Sequence, residues 1–590
     1  MLKIPRQYWE ATSQKISWGH WFAFFNIVCA IAIGSRYAFI ADWPGTLIGK
    51  IYFFLNILGH FSFIVFALYL LILFPLSFLI KNPYTFRAVG VILSTLGLTL
   101  LLLDTEVFNR FHLHLSLLVL NILINPDNGD LARDWERFFV PMPLIFLTVM
   151  LFSRWSWNKL RSLERQKWIR KIAYLLMFCF ICSHLLYAWA DAYFYRPITV
   201  QKANLPLSYP MTARTFLEKN QLLNRDTYLA QLNNSGRLDA PYLDYPKHLL
   251  EYNKQNADTN ILLINISGLR HDAITLNDMP SLSALREQSL DYQNNYSGSN
   301  NQNGALVSLF YGLNANYFDS LLNQREQSVW VERMQQLQYQ FGLFVTAPSQ
   351  SPLYPRALFQ RQNIQFNNRS NQQTTRQWLN WYQQQNDKPW FSYLQYDLLS
   401  VMANYPKTEA ENQQQYYRLQ LQEIDRQLAQ ILNPLSQNGL QNTVVIVTAD
   451  QGYSYQAENN SDNNYFGHDR IQVPLLILWP GKAAQKIEDI SSQMDLVPTL
   501  MQQLFQVKNP AQDYTQGKDL LDPQNHHDNW VFIANSRWNV VVTDSGEQYQ
   551  IDSQGEYKEY NADYQKVDSE KPPLALFLQV FSRDRNFLAD

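Results

Sequence analysis

Three short stretches of this 590-residue chain combine residue types and spacing that could do chemistry. Thr443-Val-Val-Ile-Val-Thr-Ala-Asp-Gln-Gly452 sets one carboxylate, Asp450, in a turn just past a run of β-branched residues. A run without polar alternation predicts a parallel strand covered on both faces, and in such sheets ligands gather beyond the carboxyl ends of the strands. Asn260-Ile-Leu-Leu-Ile-Asn-Ile-Ser-Gly268 is a second apolar run, ending at Ser267 and a glycine turn. Gly467-His468 precedes a third, Val473-Pro-Leu-Leu-Ile-Leu-Trp-Pro480. Carboxylate and imidazole are ligands for a divalent cation, so the convergence reads as a metallohydrolase site with most of its ligands missing. Asp450 and His468 are the candidate metal pair. Two ligands hold such an ion weakly, and a plain hydrogen bond between them is the structural alternative. No cofactor is expected beyond, at most, that weakly held divalent cation.

The elements that must position these groups alternate strand and helix from about residue 258 onward, the signature of an α/β domain. The pattern predicts strands at 260–267, 341–347, 390–396, 443–450 and 473–479, with antiparallel pieces at 530–534 and 538–543. It predicts helices at 279–289, 303–313, 372–385, 411–432 and 492–506. Gln/Asn-rich patches such as 362–373 show no period and read as hydrophilic surface.

The first 190 residues differ in kind. Apolar runs at about 21–40, 51–80, 87–104, 136–153 and 170–190 are each near the ~20 residues that a bilayer-crossing helix requires. Residues 1–20 are polar, and the apolar run after them has no small-residue cleavage pattern, which predicts an uncleaved first span. Pro75 should disturb the second span near one end. Arg154, Lys159, Arg161, Arg165, Lys167, Arg170 and Lys171 fill the loop between the fourth and fifth spans, so that loop should be cytoplasmic. Five spans then leave the N-terminus in the cytoplasm and the C-terminal domain outside, in the periplasm of a bacterial inner membrane. The segment 111–124 is too short for a further span, and His112 and His114, two apart, would face different sides of a helix and are not expected to share a ligand. All three cysteines lie in apolar runs, and Cys179 and Cys182, despite their spacing, read as packing residues. Formal net charge is −2, so no global field argues for nucleic acid.

Three regions follow: a transmembrane domain at 1–191, an interfacial linker at 192–255 and an α/β domain at 256–590. The linker is proline-punctuated and aromatic and emerges at headgroup level, where Arg196 and Arg214 could contact lipid phosphate or be merely solvated. A short helix should begin at Thr215.

The order of features in the last region is more specific than any one of them. A strand ending in Ser-Gly, a Ser/Asn-rich turn opening a helix, Thr448-Ala-Asp-Gln-Gly452, Gly467-His468 and Asp495-Leu-Val-Pro-Thr-Leu500 together resemble the sulfatase-like branch of the alkaline phosphatase superfamily. Ser17-Trp-Gly-His-Trp-Phe-Ala-Phe-Phe-Asn26, Arg110-Phe-His-Leu-His114 and Asn204-Leu-Pro-Leu-Ser-Tyr-Pro-Met-Thr-Ala-Arg214 are similar to a family of inner-membrane proteins within that branch, the lipopolysaccharide signal transducers. The resemblance implies a five-span helical membrane domain followed by a sulfatase-like α/β domain. It also locates what is missing. Where active relatives place an acidic ligand, a nucleophile and an imidazole, this chain has Ser267, Asn300 or Asn301, and Gln451. An asparagine amide is no nucleophile, so a pseudo-enzyme is expected.

The same resemblance implies binding of lipid A at Pro210, Met211, Thr212, Ala213 and Arg214; Thr215 stands where relatives carry a second arginine, and Arg196 is the cation expected to compensate. It implies control of lipopolysaccharide synthesis through LapB, bound by the spans, which spares the deacetylase LpxC from the protease FtsH. An active metal-dependent phosphoryl or headgroup transferase, and a carrier of cardiolipin to the outer membrane, are the alternatives.

Overall fold

The computed structural model describes the chain except residues 1–5, 42, 112–113, 116–139, 164, 167, 257, 347–350, 363–369, 386–387, 405–409, 439, 523–527, 553–555, 568–573 and 589–590. Lys167, His112 and most of the segment 111–124 therefore lie outside the described residues. The chain divides into two compact units, one built from Met1–Leu232 with Arg237–Pro241 and one from Asn233–Gly236 with Tyr242–Leu588.

In the membrane unit four stretches, Trp9–Ile40, Leu47–Leu79, Pro83–Asn109 and Trp168–Ala192, are long and apolar enough to cross a bilayer. A fifth helix, Pro141–Asn158, stands where the fourth span is predicted, though the start of that prediction falls among the undescribed residues. Aromatic packing joins these helices. Trp18 is fully buried, stacks on Phe22 at 4.6 Å and meets the edge of Phe86 at 5.5 Å, while Phe25 stacks on Phe152 at 3.9 Å. Gly59 lets two backbones touch, since a Cβ there would lie 2.6 Å from the Phe180 Cα. Pro75 has no N–H and its ring cannot sit against the carbonyl four residues earlier, and the second span takes a π-helical turn over Tyr69–Leu73 just before it. The last carbonyls of that span are met by a cation. Lys15 donates to the Ser77 carbonyl and, at 2.8 Å, to that of Ile80. Cys179 is buried and Cys182 half-buried, both as free thiols.

Residues 192–232 pack with the spans, where the sequence suggests a connector. Tyr195 donates to Thr46 Oγ1 at 2.9 Å, Gln201 Nε2 to the Gly49 carbonyl at 3.1 Å, and Thr199 Oγ1 to the Leu238 carbonyl at 2.8 Å. His114 sits between Asp104 Oδ2 at 2.7 Å and the Ala203 carbonyl at 2.9 Å, fastening this segment from another side.

The α/β unit is built on a seven-stranded sheet of β1 (Asn260–Ser267), β2 (Leu290–Tyr296), β3 (Gln340–Val345), β4 (Trp390–Asp397), β5 (Thr443–Thr448), β6 (Leu475–Leu478) and β7 (Gln485–Ser492), in the order β3-β4-β1-β5-β6-β2-β7. β3, β4, β1 and β5 are parallel, β6 is antiparallel to both neighbours, and β7 is parallel to β2. β1 and β5 are buried along nearly their whole length, as their unalternating sequences require. One core, containing Trp330, Tyr354 and Leu306, covers one face, and another, containing Trp378, Tyr417 and Leu428, covers the other. A five-stranded antiparallel meander follows, β8 (Trp530–Ala534) to β12 (Lys566–Val567). The helix predicted at 492–506 is in fact three short pieces, a 3₁₀ turn, an α turn holding Pro498 and a π-helical turn.

Candidate functional site

Register brings the first group of residues together. Ser267 at the end of β1 pairs with Asp397 at the end of β4, and Asn265 pairs with Thr448 at the end of β5, so Asp450, two residues further on, emerges beside both. Glycines shape the two turns. Gly268 has φ of 93° and donates its N–H to the Gln451 carbonyl at 2.9 Å. A Cβ at Gly452 would lie 2.2 Å from the Asp469 carbonyl oxygen, so only glycine lets that chain pass.

Asp450 is completely buried, and both carboxylate oxygens lack a hydrogen bond of ordinary geometry. The Ser267 hydroxyl and the Gln451 N–H lie close enough to favour its charged form, yet burial, with the charge of Asp397 added, pushes its pKa up to about 7. Asp397 is committed elsewhere: it accepts from the Ser400 N–H at 2.9 Å and from the Ser400 hydroxyl. Arg470 is buried nearby, donating from Nε to the Asn300 carbonyl at 3.0 Å and from a terminal nitrogen to the Asn459 carbonyl at 2.9 Å.

The remaining predicted positions have structural tasks. Asn300 Nδ2 donates to the carbonyls of Asn463 at 2.9 Å and Tyr465 at 3.1 Å. Asn301 is the N-cap of the helix Gln302–Tyr311, its Oδ1 accepting from the Gly304 N–H at 3.0 Å. Gln451 is buried with its Oε1 unpartnered. His468 does not reach Asp450. Its Nε2 faces the Gly546 carbonyl at 3.2 Å, and the carboxylates whose charge acts on it are Asp469 and Asp563. Among the described residues no three His, Cys, Asp or Glu side chains gather as metal ligands. A carboxylate whose acidic neighbour Asp397 is bonded to Ser400, with the buried Arg470 cation close by, does not supply the ligand set of the divalent cation that a sulfatase centre holds. Asp397 and Arg470 were not legible beforehand. Asp397 follows the predicted strand 390–396 directly, and Arg470 lies two residues beyond His468, so only position relative to the other strands marks them.

A second group surrounds a cavity of about 310 Å³ in the membrane unit, past the end of the fifth span. Pro210, Thr212 and Arg214 line it, as the sequence suggests, and so do Lys202, Arg237, Asp191 and Asp239, which it does not. Arg214 forms a two-pronged pair with Asp191, Nε to Oδ2 and a terminal nitrogen to Oδ1, both at 2.6 Å, and stacks over Tyr228 at 5.1 Å. Lys202 and Arg237 both meet Asp239 at 3.1 Å. Burial alone would push the Asp239 carboxyl up, but hydrogen bonds and charge from these two cations hold it below its usual range. Three cations thus face two carboxylates. Arg196 donates instead to the Ala240 carbonyl at 2.9 Å, the Met211 N–H donates to His184 Nδ1, and Ala213 precedes the short helix Arg214–Lys219 without a side-chain cap. Leu207, Tyr209, Met211 and Phe216 are exposed around this region, a composition suited to a membrane–water interface.

The fold and the strand-end site define a membrane-anchored, sulfatase-like protein, and residues 260–507 match the Sulfatase family model. Residues 5–252 match the model of a domain of unknown function, DUF3413. The chain is 42% identical to the inner membrane protein YejM of Salmonella typhimurium over 595 residues, which covers all of both chains. It is 50% identical to an uncharacterized protein of Haemophilus influenzae over 587 residues, 99% of this chain and 98% of the other. The chain belongs to the YejM family of inner-membrane proteins. Among solved structures, the lipoteichoic acid synthase LtaP of Listeria monocytogenes aligns with a TM-score of 0.42 and 16% identity, over 58% of this chain and 94% of that one.

Proposed function

We propose that this protein is a catalytically depleted, membrane-anchored member of its superfamily that binds the lipid A part of lipopolysaccharide at the periplasmic leaflet and regulates lipopolysaccharide synthesis. The observation that carries the reading is the cavity past the fifth span, where Lys202, Arg214 and Arg237 face two carboxylates inside a belt of exposed apolar side chains. A phosphorylated glycolipid matches both parts. Its phosphate suits a guanidinium fork and the Thr212 hydroxyl, and its acyl chains suit the spans. The regulatory arm, through LapB, FtsH and LpxC, rests on the family resemblance alone, with LapB bound by the spans. Titrating purified protein with lipid A tests the reading: a Thr212→Ala/Arg214→Ala double variant is expected to bind roughly tenfold or more weakly. Equal affinity in the two proteins would remove this region from the site.

Catalytic depletion is supported by Asn301 acting as a helix cap and by the incomplete ligand set around Asp450. The protein is expected to turn over neither aryl phosphate nor aryl sulfate esters with added Mn²⁺ or Zn²⁺. Activity that disappears in Asp450→Ala would overturn this and favour the transferase reading.

Orientation follows from the basic loop at 154–171. Alkaline phosphatase fused after residue 255 should be active; a well-expressed but inactive fusion would place the C-terminal domain in the cytoplasm.

A further inference from the structure

A second cavity, of about 350 Å³, opens in the α/β unit where the helix Gln302–Tyr311 begins, bounded also by Asn463 and the turn after β8. Every side chain lining it is an amide, a hydroxyl or a proline; among the described residues no Lys, Arg, His, Asp or Glu lines it. Part of this lining is wired in place. Asn535 Oδ1 accepts from the N–H groups of Arg537 at 2.9 Å and Trp538 at 2.8 Å, while its Nδ2 donates to Asn300 Oδ1 at 3.1 Å and the Asn463 carbonyl at 2.6 Å. The rest is free. Gln302 and Asn303, both half-buried, and the exposed Ser536 make no side-chain hydrogen bond among the described residues.

Behind the lining, Arg470 spends donors on the carbonyls of Asn300 and Asn459, with Asp450 and Asp469 at hand to balance its charge. The cavity therefore offers neighbouring donors and acceptors without a charged partner. A charged ligand entering it would lose hydration and gain no ion pair. An apolar ligand would leave the amides unsatisfied. A peptide anchored by side chains calls for an apolar pocket, and among the described residues Pro352 is the sole apolar one in the lining.

We infer that this cavity binds an uncharged saccharide. Each sugar hydroxyl both donates and accepts, as does each amide, so adjacent hydroxyls complement Gln302 and Asn303 while the fixed Asn535 and Asn463 hold the shape. The volume lies toward the lower end of the ~300–1,000 Å³ range of small-molecule sites, room for one or two sugar rings. Without an aromatic platform the affinity should be low. The site is separate from the lipid-binding cavity, and its test does not depend on that one.

Saturation-transfer NMR on the full chain in phosphatidylcholine nanodiscs, with a mixture of glucose, galactose and mannose, tests the inference; glucoside and maltoside detergents are avoided because they carry the ligand chemistry. Transfer to the ring protons of at least one sugar is expected. It should fall roughly three- to tenfold in Gln302→Ala/Asn303→Ala, which removes hydrogen bonds to the sugar while breaking no side-chain hydrogen bond among the described residues. Ser536→Tyr, at an exposed position, should block the mouth independently. Equimolar sulfate should leave the signal unchanged. No transfer to any of the three sugars, undiminished transfer in both variants, or displacement by sulfate or by triglycine would each overturn the assignment, the last two in favour of an anion or a peptide.

Discussion

Asp450→Asn is expected to raise the stability of the α/β unit at neutral and alkaline pH and to flatten its dependence on pH. The wild-type carboxyl moves from an ordinary value of 3.8 to about 7 on folding, because burial, with the charge of Asp397 added, outweighs the help its charged form receives from Ser267 and the Gln451 N–H. Between those values the folded protein binds more protons than the unfolded one. The stabilisation is therefore complete below about pH 4 and is lost as pH rises through about 7. The difference corresponds to about 4 kcal/mol at most, a large share of the ~5–15 kcal/mol that holds a domain together. The neutral amide removes the ionisation at almost constant shape. Some slope should survive, since the buried Asp584, held by Asn314 and Asn316, is pushed up to about 6 and acts with the same sign. Denaturant unfolding at several pH values between about 5 and 8.5 would decide it. A variant no more stable than wild type at pH 8, with an unchanged slope, would mean that Asp450 carries its charge comfortably. Stabilisation of wild type alone by Mn²⁺ or Zn²⁺ would name a cation as the reason.

The second large effect is expected at the pair Asp191 and Arg214. Removing the arginine leaves a buried carboxylate unpaired, which costs roughly 2 kcal/mol or more, so Arg214→Ala should lose stability as well as lipid A affinity. Asp191→Asn separates the two causes. With the competing carboxylate neutralised, the guanidinium is free for phosphate, and lipid A should bind several-fold more tightly, by roughly 1 kcal/mol. The double variant Asp191→Asn/Arg214→Ala should regain the stability without regaining the binding. If instead Asp191→Asn binds as weakly as Arg214→Ala, the carboxylate positions the arginine, and phosphate does not have to displace it.

How far these sites could be read beforehand depended on what kind of signal each residue carries. β1 and β5 announce themselves because burial on both faces demands unbroken apolar runs, and Asp450 is conspicuous because it ends one of them. β2 is nearly as buried but reads Leu-Asp-Tyr-Gln-Asn-Asn-Tyr, and it gave no strand signal beyond the helix expected at 279–289. Its polar groups are satisfied only across the sheet, as where Asn295 bonds the Val473 carbonyl and Ser491. β7, at the sheet edge with alternating charge and little apolar content, gave no strand signal. Pairings were invisible for the same reason: Asp191 and Arg214 stand 23 residues apart, and no periodicity says that they meet.

The packing of residues 192–241 on the spans also bears on how the gene tolerates interruption. Thr46 and Gly49 find hydrogen-bond partners in Tyr195 and Gln201, and Thr199 finds one in the Leu238 carbonyl, so the membrane half closes on itself only near residue 241. A stop codon at about 192 keeps every apolar span yet strips them of that cover, whereas one just past 241 leaves a self-sufficient product. Two alleles that look alike on a hydropathy plot should therefore differ in steady-state abundance, the shorter falling to quality-control proteolysis and the longer persisting in the membrane.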